Sequence, residues 1–257
     1  MSLVLYEVKD RIGYITLNRP EKRNALSHEL VAALKETFTK AENDSATKVI
    51  VLRANGEAFC AGADLAYLQQ LQKFSFDENL ADSNHLRELF QQVYQLKKVV
   101  IAQVQGHALA GGCGLATVCD FVFAVPEAKF GYTEVKIGFI PAMVLVFLIR
   151  KIGEQRAKHL LLSGELIQGN EVVNFGLANF IIEKSELEKR TEEFAQKLIK
   201  NNSAHSMAMT KQMIDQVQSM TLTDALAYAA RMNAEMRASD DCKKGIASFL
   251  NKENLNW

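Results

Sequence analysis

Neither sign of charge is in excess in this chain: 30 Lys and Arg stand against 30 Asp and Glu in 257 residues. No global field therefore draws it to nucleic acid or to an anionic membrane. Cysteine is scarce. Cys60, Cys113, Cys119 and Cys242 lie in apolar or small-residue settings with no CxxC and no His-rich segment, which sets aside metal ligation and a disulfide framework and fits a reducing cytoplasm. Long apolar runs are missing too. The most apolar stretch, FIPAMVLVFLI at 139–149, is too short to cross a bilayer and is broken by Pro141, so it reads as a buried helix. The opening MSLVLYEVKDRIGYITL has acidic residues and alternation where a secretory signal needs a basic start and a continuous apolar stretch. A cytoplasmic location is the expectation. There is no low-complexity linker and no repeat at solenoid spacing.

What is present is length enough to bury a substantial core and a pattern of strands alternating with helices. LVLYEV and IGYITL predict a hairpin, and the Val/Ile-rich runs KVIVLRA (48–54) and VVIAQVQG (99–106) predict strands covered on both faces. Between them Leu26, Leu30, Leu34 and Phe38 recur every fourth residue after a Ser27 cap, which predicts one amphipathic helix. A layered α/β core follows. After about residue 150 strand signals fade, apart from NFIIE at 179–183. Ser185 with Glu188, and Thr221 with Asp224, resemble capping boxes, and three helices are expected to close the chain. The expected division is an α/β core over 1–195 and a helical region over 196–257.

Two clusters of small residues sit at strand-to-helix turns: CAGADL at 60–65 and AGGCGL at 110–115. Glycines let the chain turn sharply and let a ligand approach a helix N-terminus, whose free N–H groups favour negative charge. The spacing matches neither the dinucleotide fingerprint nor the P-loop. Two backbone N–H groups converging from separate turns could form an oxyanion hole, polarising a carbonyl and stabilising an enolate or tetrahedral oxyanion.

The ordered motifs LNRPEKRNAL, AFCAGADL, GHALAGGCGLATVCDFVFA and AKFGYTEVKIGFIP, with the tail SDDCKKGIASFLNK, resemble the enoyl-CoA hydratase/isomerase (crotonase) superfamily nearly end to end. The resemblance implies a crotonase-like layered β-sheet core of repeated ββα units with a C-terminal helical trimerisation region. It implies an acyl-CoA thioester as substrate, with coenzyme A part of that substrate and no separate cofactor or metal. It also implies a homotrimer or dimer of trimers. The N–H groups of Ala63 and Gly111 would bind the thioester carbonyl. Ala61 and the stretch Ala63, Asp64, Leu65 and Ala66 would line the CoA arm, and the loop of Lys22, Arg23 and Ala25 would sit near the nucleotide end. Phe249 and Lys252 match residues that reach CoA, often from an adjacent subunit.

Family hydratases of the two-glutamate type carry one glutamate after GGC and one in the F-G-x-x-E segment. Here the first position is Gly114 and the second Glu134. Gly114 is expected to leave the pocket enlarged. Glu134 lies among Phe130, Val135, Ile137 and Phe139, where desolvation should raise its pKa into a range useful for proton transfer. Where many relatives read IPGAGGTQRL, this chain reads IPAMVLVFLIR, so the pocket wall should be more apolar, with Ala142 in place of a glycine whose N–H helps hold the catalytic water. Asp64 also reads as a helix cap, and His107 and Asp120 read as structural. The thiols have no paired base in view.

Hydration of a 2-enoyl-CoA is the leading reading, with a branched acyl group such as methylglutaconyl suggested by the AGGCGLATVCDF version of the motif. Double-bond isomerisation with a single carboxylate and acyl-CoA decarboxylation are the alternatives. A non-catalytic CoA-binding protein would keep the two amides without needing Glu134, and a serine protease of this fold would need a Ser/His pair that 111–115 lacks.

Overall fold

The computed structural model describes residues 2–253, 255 and 257. Strands β1 (Val4–Lys9) and β2 (Ile12–Leu17) form an antiparallel hairpin, registered from Val4 opposite Leu17 to Lys9 opposite Ile12. Asp10 and Arg11 both take positive φ, 50° and 65°, the tight two-residue turn whose twist matches a hairpin. Helix α1 (His28–Asn43) follows. Ser27 Oγ accepts from Leu30 N at its start, and Leu30, Leu34 and Phe38 are fully buried along one face. Burying each such side chain contributes about 2 kcal/mol.

From here one unit recurs: a strand in a large sheet, a short extended step in a second sheet, then a helix. The first copy is β3 (Val49–Ala54), an extended step at Cys60, and α2 (Leu65–Leu71). Helix α3 (Phe76–Gln95), opened by a Ser75–Glu78 capping box, returns the chain to the second copy: β4 (Val99–Val104), β5 (Ala108–Leu109) and α4 (Gly111–Thr117). The third is β6 (Phe121–Ala124), β7 (Lys129–Gly131) and α5 (Ala142–Ile152). Then come α6 (Glu154–Ser163), β8 (Leu166–Gln168), α7 (Asn170–Phe175) and β9 (Phe180–Ile181).

The large sheet has the order β1-β2-β3-β4-β6-β9 and is parallel beyond the hairpin. All six residues of β2 and of β4 are buried, as parallel strands covered on both faces require. The second sheet, β5-β7-β8, is extended by parallel bridges Cys60 to Ala108 and Leu26 to Ala63. Those two bridges bring both small-residue turns to one edge.

Four helices, not three, close the chain: α8 (Leu187–Asn201), α9 (Ala204–Val217), α10 (Leu222–Arg237) and α11 (Asp240–Leu250). Ser239 accepts from Cys242 N and starts α11 immediately after α10 ends, splitting what reads in sequence as one run. Helix α8 opens at Leu187 without a side-chain cap, so Ser185 plays no such part. The expected boundary after 195 falls inside α8, whose Leu187, Thr191, Ala195 and Ile199 are buried. This helix belongs to the core. The segment 139–149 is likewise not a buried helix: Phe139 and Ile140 precede α5 and are 56% and 66% exposed, and Val146 is 47% exposed. Only Val144, Leu148 and Ile152 of α5 are buried. Among the described residues no helix is long and apolar enough to cross a membrane.

Candidate active site

The peptide joining Gly62 and Ala63 is fixed by its carbonyl. Leu26 N donates to Gly62 O at 2.7 Å and Asp64 N donates back to Leu26 O at 2.9 Å. Across a trans peptide the N–H points opposite to the C=O, so the Ala63 N–H faces away from Leu26. That is the side on which Cys60 pairs with His107 and Leu109, next to α4. At the start of α4 the same logic holds: Ala110 O accepts from Gly114 N at 3.0 Å, so the Gly111 N–H points out of the helix. Among the described residues neither amide donates to a protein acceptor.

Glycine is required where these turns touch. Gly62 has φ +91°, and a Cβ there would lie 2.9 Å from Ala110 Cβ, 3.0 Å from Leu109 O and 3.6 Å from Gly111 N. A Cβ on Gly112 would run into Cys60 O. Ala110 holds φ 49° and ψ −124°, a sparsely populated conformation for a residue with a side chain, of the kind stored at functional sites. Ala63 is exposed and Gly111 half-buried.

Glu134 begins a short 3₁₀ turn (Glu134–Ile137) after β7. Its Oε2 is buried without a hydrogen-bond partner among the described residues. Burial pushes its pKa above the ordinary carboxylate value, opposed by its own backbone N–H. Behind it Tyr132, fully buried, pairs its hydroxyl with Thr117 Oγ1 at 2.9 Å. Burial drives the Cys113 thiol up to about 11, and the charge of nearby Glu134 adds to this. Cys60 is pushed up to about 12 by burial, so neither thiol supplies a ready thiolate.

Gly114 does not enlarge a pocket. It is buried, and a Cβ placed on it would run into Val144 Cγ1 and lie 3.1 Å from Val144 Cβ. The space is filled from α5. Ala142 also differs from expectation, because its N–H donates to Ile140 O at 2.9 Å and is not free for a water.

The remaining predicted residues fall into three groups. Ala61, half-buried, donates its N–H to Arg23 O at 3.0 Å, and Ala25 is buried beside it, so the loop holding Arg23 clamps the first turn through its backbone. Arg23 itself, in the left-handed region at φ 50°, has an exposed side chain. The Asp64 carboxylate is occupied internally: Oδ1 accepts from the N–H groups of Ala66 and Tyr67, and Oδ2 pairs with Arg19 at 2.9 Å. It is a cap, and it also takes up the Ala66 amide. The Leu65 side chain lies outside the described residues. Phe249 is 84% exposed on α11 and Lys252 is exposed just beyond it; among the described residues no hydrogen bond or ion pair ties either to Ala63, Gly111 or Glu134.

Two residues that support these turns carried no periodic signal. Asn24, fully buried at φ 53°, accepts from Arg19 N and donates to Asn55 O and Ala58 O at 2.9 Å each, locking the loop to the approach of the first turn. Arg19 anchors Asp64 as above. The only hint in the sequence was their place in NRPEKRNAL. His107 Nδ1 accepts from Lys129 N at 3.2 Å, and Asp120 Oδ2 accepts from Val100 N and pairs with Lys211 at 2.7 Å; both are structural.

A cavity of about 750 Å³ opens at the C-terminal end of α4, lined by Thr117, Cys119, Lys151, Met207 and Trp257 among others. Ala63, Gly111 and Glu134 are not among its walls, and the lysines Lys151 and Lys211 that line it have partners: Lys151 caps carbonyls and Lys211 pairs with Asp120. Ala63 and Gly111 lie instead at the turns that lead into α2 and α4. Among the described residues no group of three or more His, Cys, Asp or Glu side chains is placed to hold a metal ion.

Comparison with known proteins places these turns in context. The family model described as enoyl-CoA hydratase/isomerase matches residues 7–257. A relative from Thermus thermophilus is 40% identical over 244 residues, covering 95% of this chain and 96% of its own length. The short-chain-enoyl-CoA hydratase of Clostridium acetobutylicum is 30% identical, covering 99% and 97%. The crystal structure of an enoyl-CoA hydratase from Shewanella pealeana superposes with a TM-score of 0.94 at 26% identity, covering 99% of this chain and 96% of that one. On a match that runs through both turns and Glu134 to the end of the chain, this protein belongs to the enoyl-CoA hydratase/isomerase family and is an enzyme.

Proposed function

We propose that the chain hydrates a 2-enoyl-CoA, holding the thioester oxygen between the amides of Ala63 and Gly111 and moving protons with Glu134. The reading rests on Glu134: its Oε2 is buried and partnerless among the described residues, a state that favours a group waiting for water or substrate. In hydration the Glu134 carboxylate takes a proton from water as the hydroxyl adds to C3. The C2=C3 electron pair moves toward the thioester, leaving an enolate oxygen that the two amides stabilise. Each such donor contributes about 3 kcal/mol at the transition state. Glu134 then returns its proton to C2, and the balance is one water added across one double bond.

One carboxylate also suits isomerisation, in which Glu134 removes a proton from C2 of a 3-enoyl-CoA and returns it at C4. Val144 against Gly114 favours this second reading, since it leaves position 114 no acid of its own. Incubation of purified protein with crotonyl-CoA, a 3-enoyl-CoA and methylglutaconyl-CoA, with products followed by mass, separates the two and covers a branched acyl group. A loss of carbon dioxide would point to decarboxylation, and binding without turnover to a CoA-binding protein. Glu134→Gln should lower turnover by about 10²–10⁴-fold with CoA affinity retained; hydration at the wild-type rate removes Glu134 from the role.

The working form is a trimer or a dimer of trimers. Support comes from α10 and α11, where Leu222, Leu226, Phe249 and Leu250 are 78%, 62%, 84% and 73% exposed, apolar area of the kind that marks a contact surface. In such an assembly Phe249 and Lys252 would reach the CoA of a neighbouring subunit. Sedimentation that returns a monomer would remove both statements.

A further inference from the structure

The side chain of residue 114 is missing from a place where it would matter. Position 114 lies three residues after Gly111, on the same face of α4, and helical Cα–Cβ bonds lean toward the helix N-terminus. A side chain there would extend back over the turn that presents the Gly111 N–H. That volume is taken from α5: Val144, 4% exposed, would be struck by a Cβ on Gly114, and Phe90 Cζ would lie 3.4 Å from it. Phe90 is fully buried, so the wall has little room to retreat.

We propose that Val144 is a specificity-determining residue: its γ-methyl, packed into the space left by Gly114, sets the width of the acyl pocket beside the thioester and rejects a chain branched at C3. The inference rests on the acyl-CoA reading above and narrows it to unbranched enoyl chains. Val144 reaches from α5 to Gly114, three residues along α4 from Gly111, and on this inference C2 and C3 of a thioester held at Gly111 pass against its methyl. A branch there meets hydrocarbon that is already close-packed. Shape, rather than a second charged group, makes the selection.

The test compares crotonyl-CoA with 3-methylcrotonyl-CoA, by kcat/KM and, on a Glu134→Gln background, by calorimetric Kd. The Kd ratio reads shape without turnover, so it stands even if the reaction assigned above is wrong. Wild type should prefer the unbranched thioester. Val144→Ala should shift the ratio toward the branched one by about tenfold or more, the scale that one or two methyl-sized groups produce in an apolar pocket. Val144→Ile should shift it the other way, which guards against a variant that merely loosens the fold. A thermal cycle supplies the packing readout: Gly114→Ala should lower Tm, and adding Val144→Ala should recover at least half of that loss. Ratios unmoved by either Val144 variant, or a Gly114→Ala protein as stable as wild type, would overturn the proposal.

Discussion

Arg19 Nη1 lies 2.9 Å from Asp64 Oδ2, joining the loop before α1 to the cap of α2, with side-chain exposures of only 19% and 10%. The pair fixes the far end of the turn that carries Ala63. Burial alone would raise the Asp64 pKa, but the N–H groups of Tyr67 and Ala66 and the Arg19 guanidinium together outweigh it and hold it below the ordinary aspartate value. A depressed carboxylate contributes stability that is full above its unfolded value near 3.8 and is lost as pH falls through the folded value. Asp64→Ala should cost about 1–2 kcal/mol in urea unfolding for the lost cap. It should also raise KM for the CoA thioester, and its stability deficit should shrink as the buffer is taken below pH 4.

Gly62 makes a sharper case. Its φ of +91° and the 2.9 Å approach of Ala110 Cβ both oppose a side chain. Gly62→Ala should destabilise by roughly 2 kcal/mol from the left-handed backbone alone, with the clash added. Because the Gly62–Ala63 peptide carries one of the two free amides, kcat should fall by more than stability predicts. An alanine variant with wild-type kcat would mean that the amide's direction is immaterial.

Much of this site could be read from the chain itself. Small residues at two turns, the Ser27 cap with apolar residues at every fourth position beside it, and a glutamate among apolar neighbours are local patterns, and local patterns survive in one dimension. The Gly114–Val144 packing was not legible, because it depends on two helices meeting across thirty residues of sequence. Asn24 and Arg19 were missed as individual actors since a loop polar residue has no period. The exposure of Phe139, Ile140 and Val146 reversed the expectation from hydrophobicity, which measures a side chain's dislike of water and not whether its own subunit covers it. Likewise α11 was hidden because a Ser cap two residues after a helix end leaves no break in helix-forming composition.

Lys151 is half-buried at the opposite end of α4 from Gly111, its ammonium donating to Thr117 O and Cys119 O at 2.9 Å each. These are carbonyls that the end of a helix leaves without partners. Burial lowers its pKa from the ordinary lysine value, opposed by the charges around it. Replacing it by methionine keeps the apolar stem but strands two acceptors, at a cost of about 1–3 kcal/mol for each buried orphan. Lys151→Met should therefore lower Tm clearly. It should lower kcat only to the extent that α4, and with it Gly111, shifts. Lys151→Arg offers donors again and should recover part of the loss.

Glu134 ties stability to activity through one proton. Its folded pKa is raised because burial penalises the carboxylate, so the group's contribution to stability is full below its unfolded value near 4.5 and is lost as pH rises through the folded value. Activity has the opposite sign, since only the ionised form can take a proton from water or from C2. The acid limb of kcat/KM should rise with an apparent pKa above 4.5, and the same titration should appear as a fall in unfolding free energy over that window. Glu134→Gln should flatten the stability profile there while removing turnover. If the variant keeps the wild-type slope of stability against pH, the buried carboxylate is not the titrating group, and another acid must account for the activity limb.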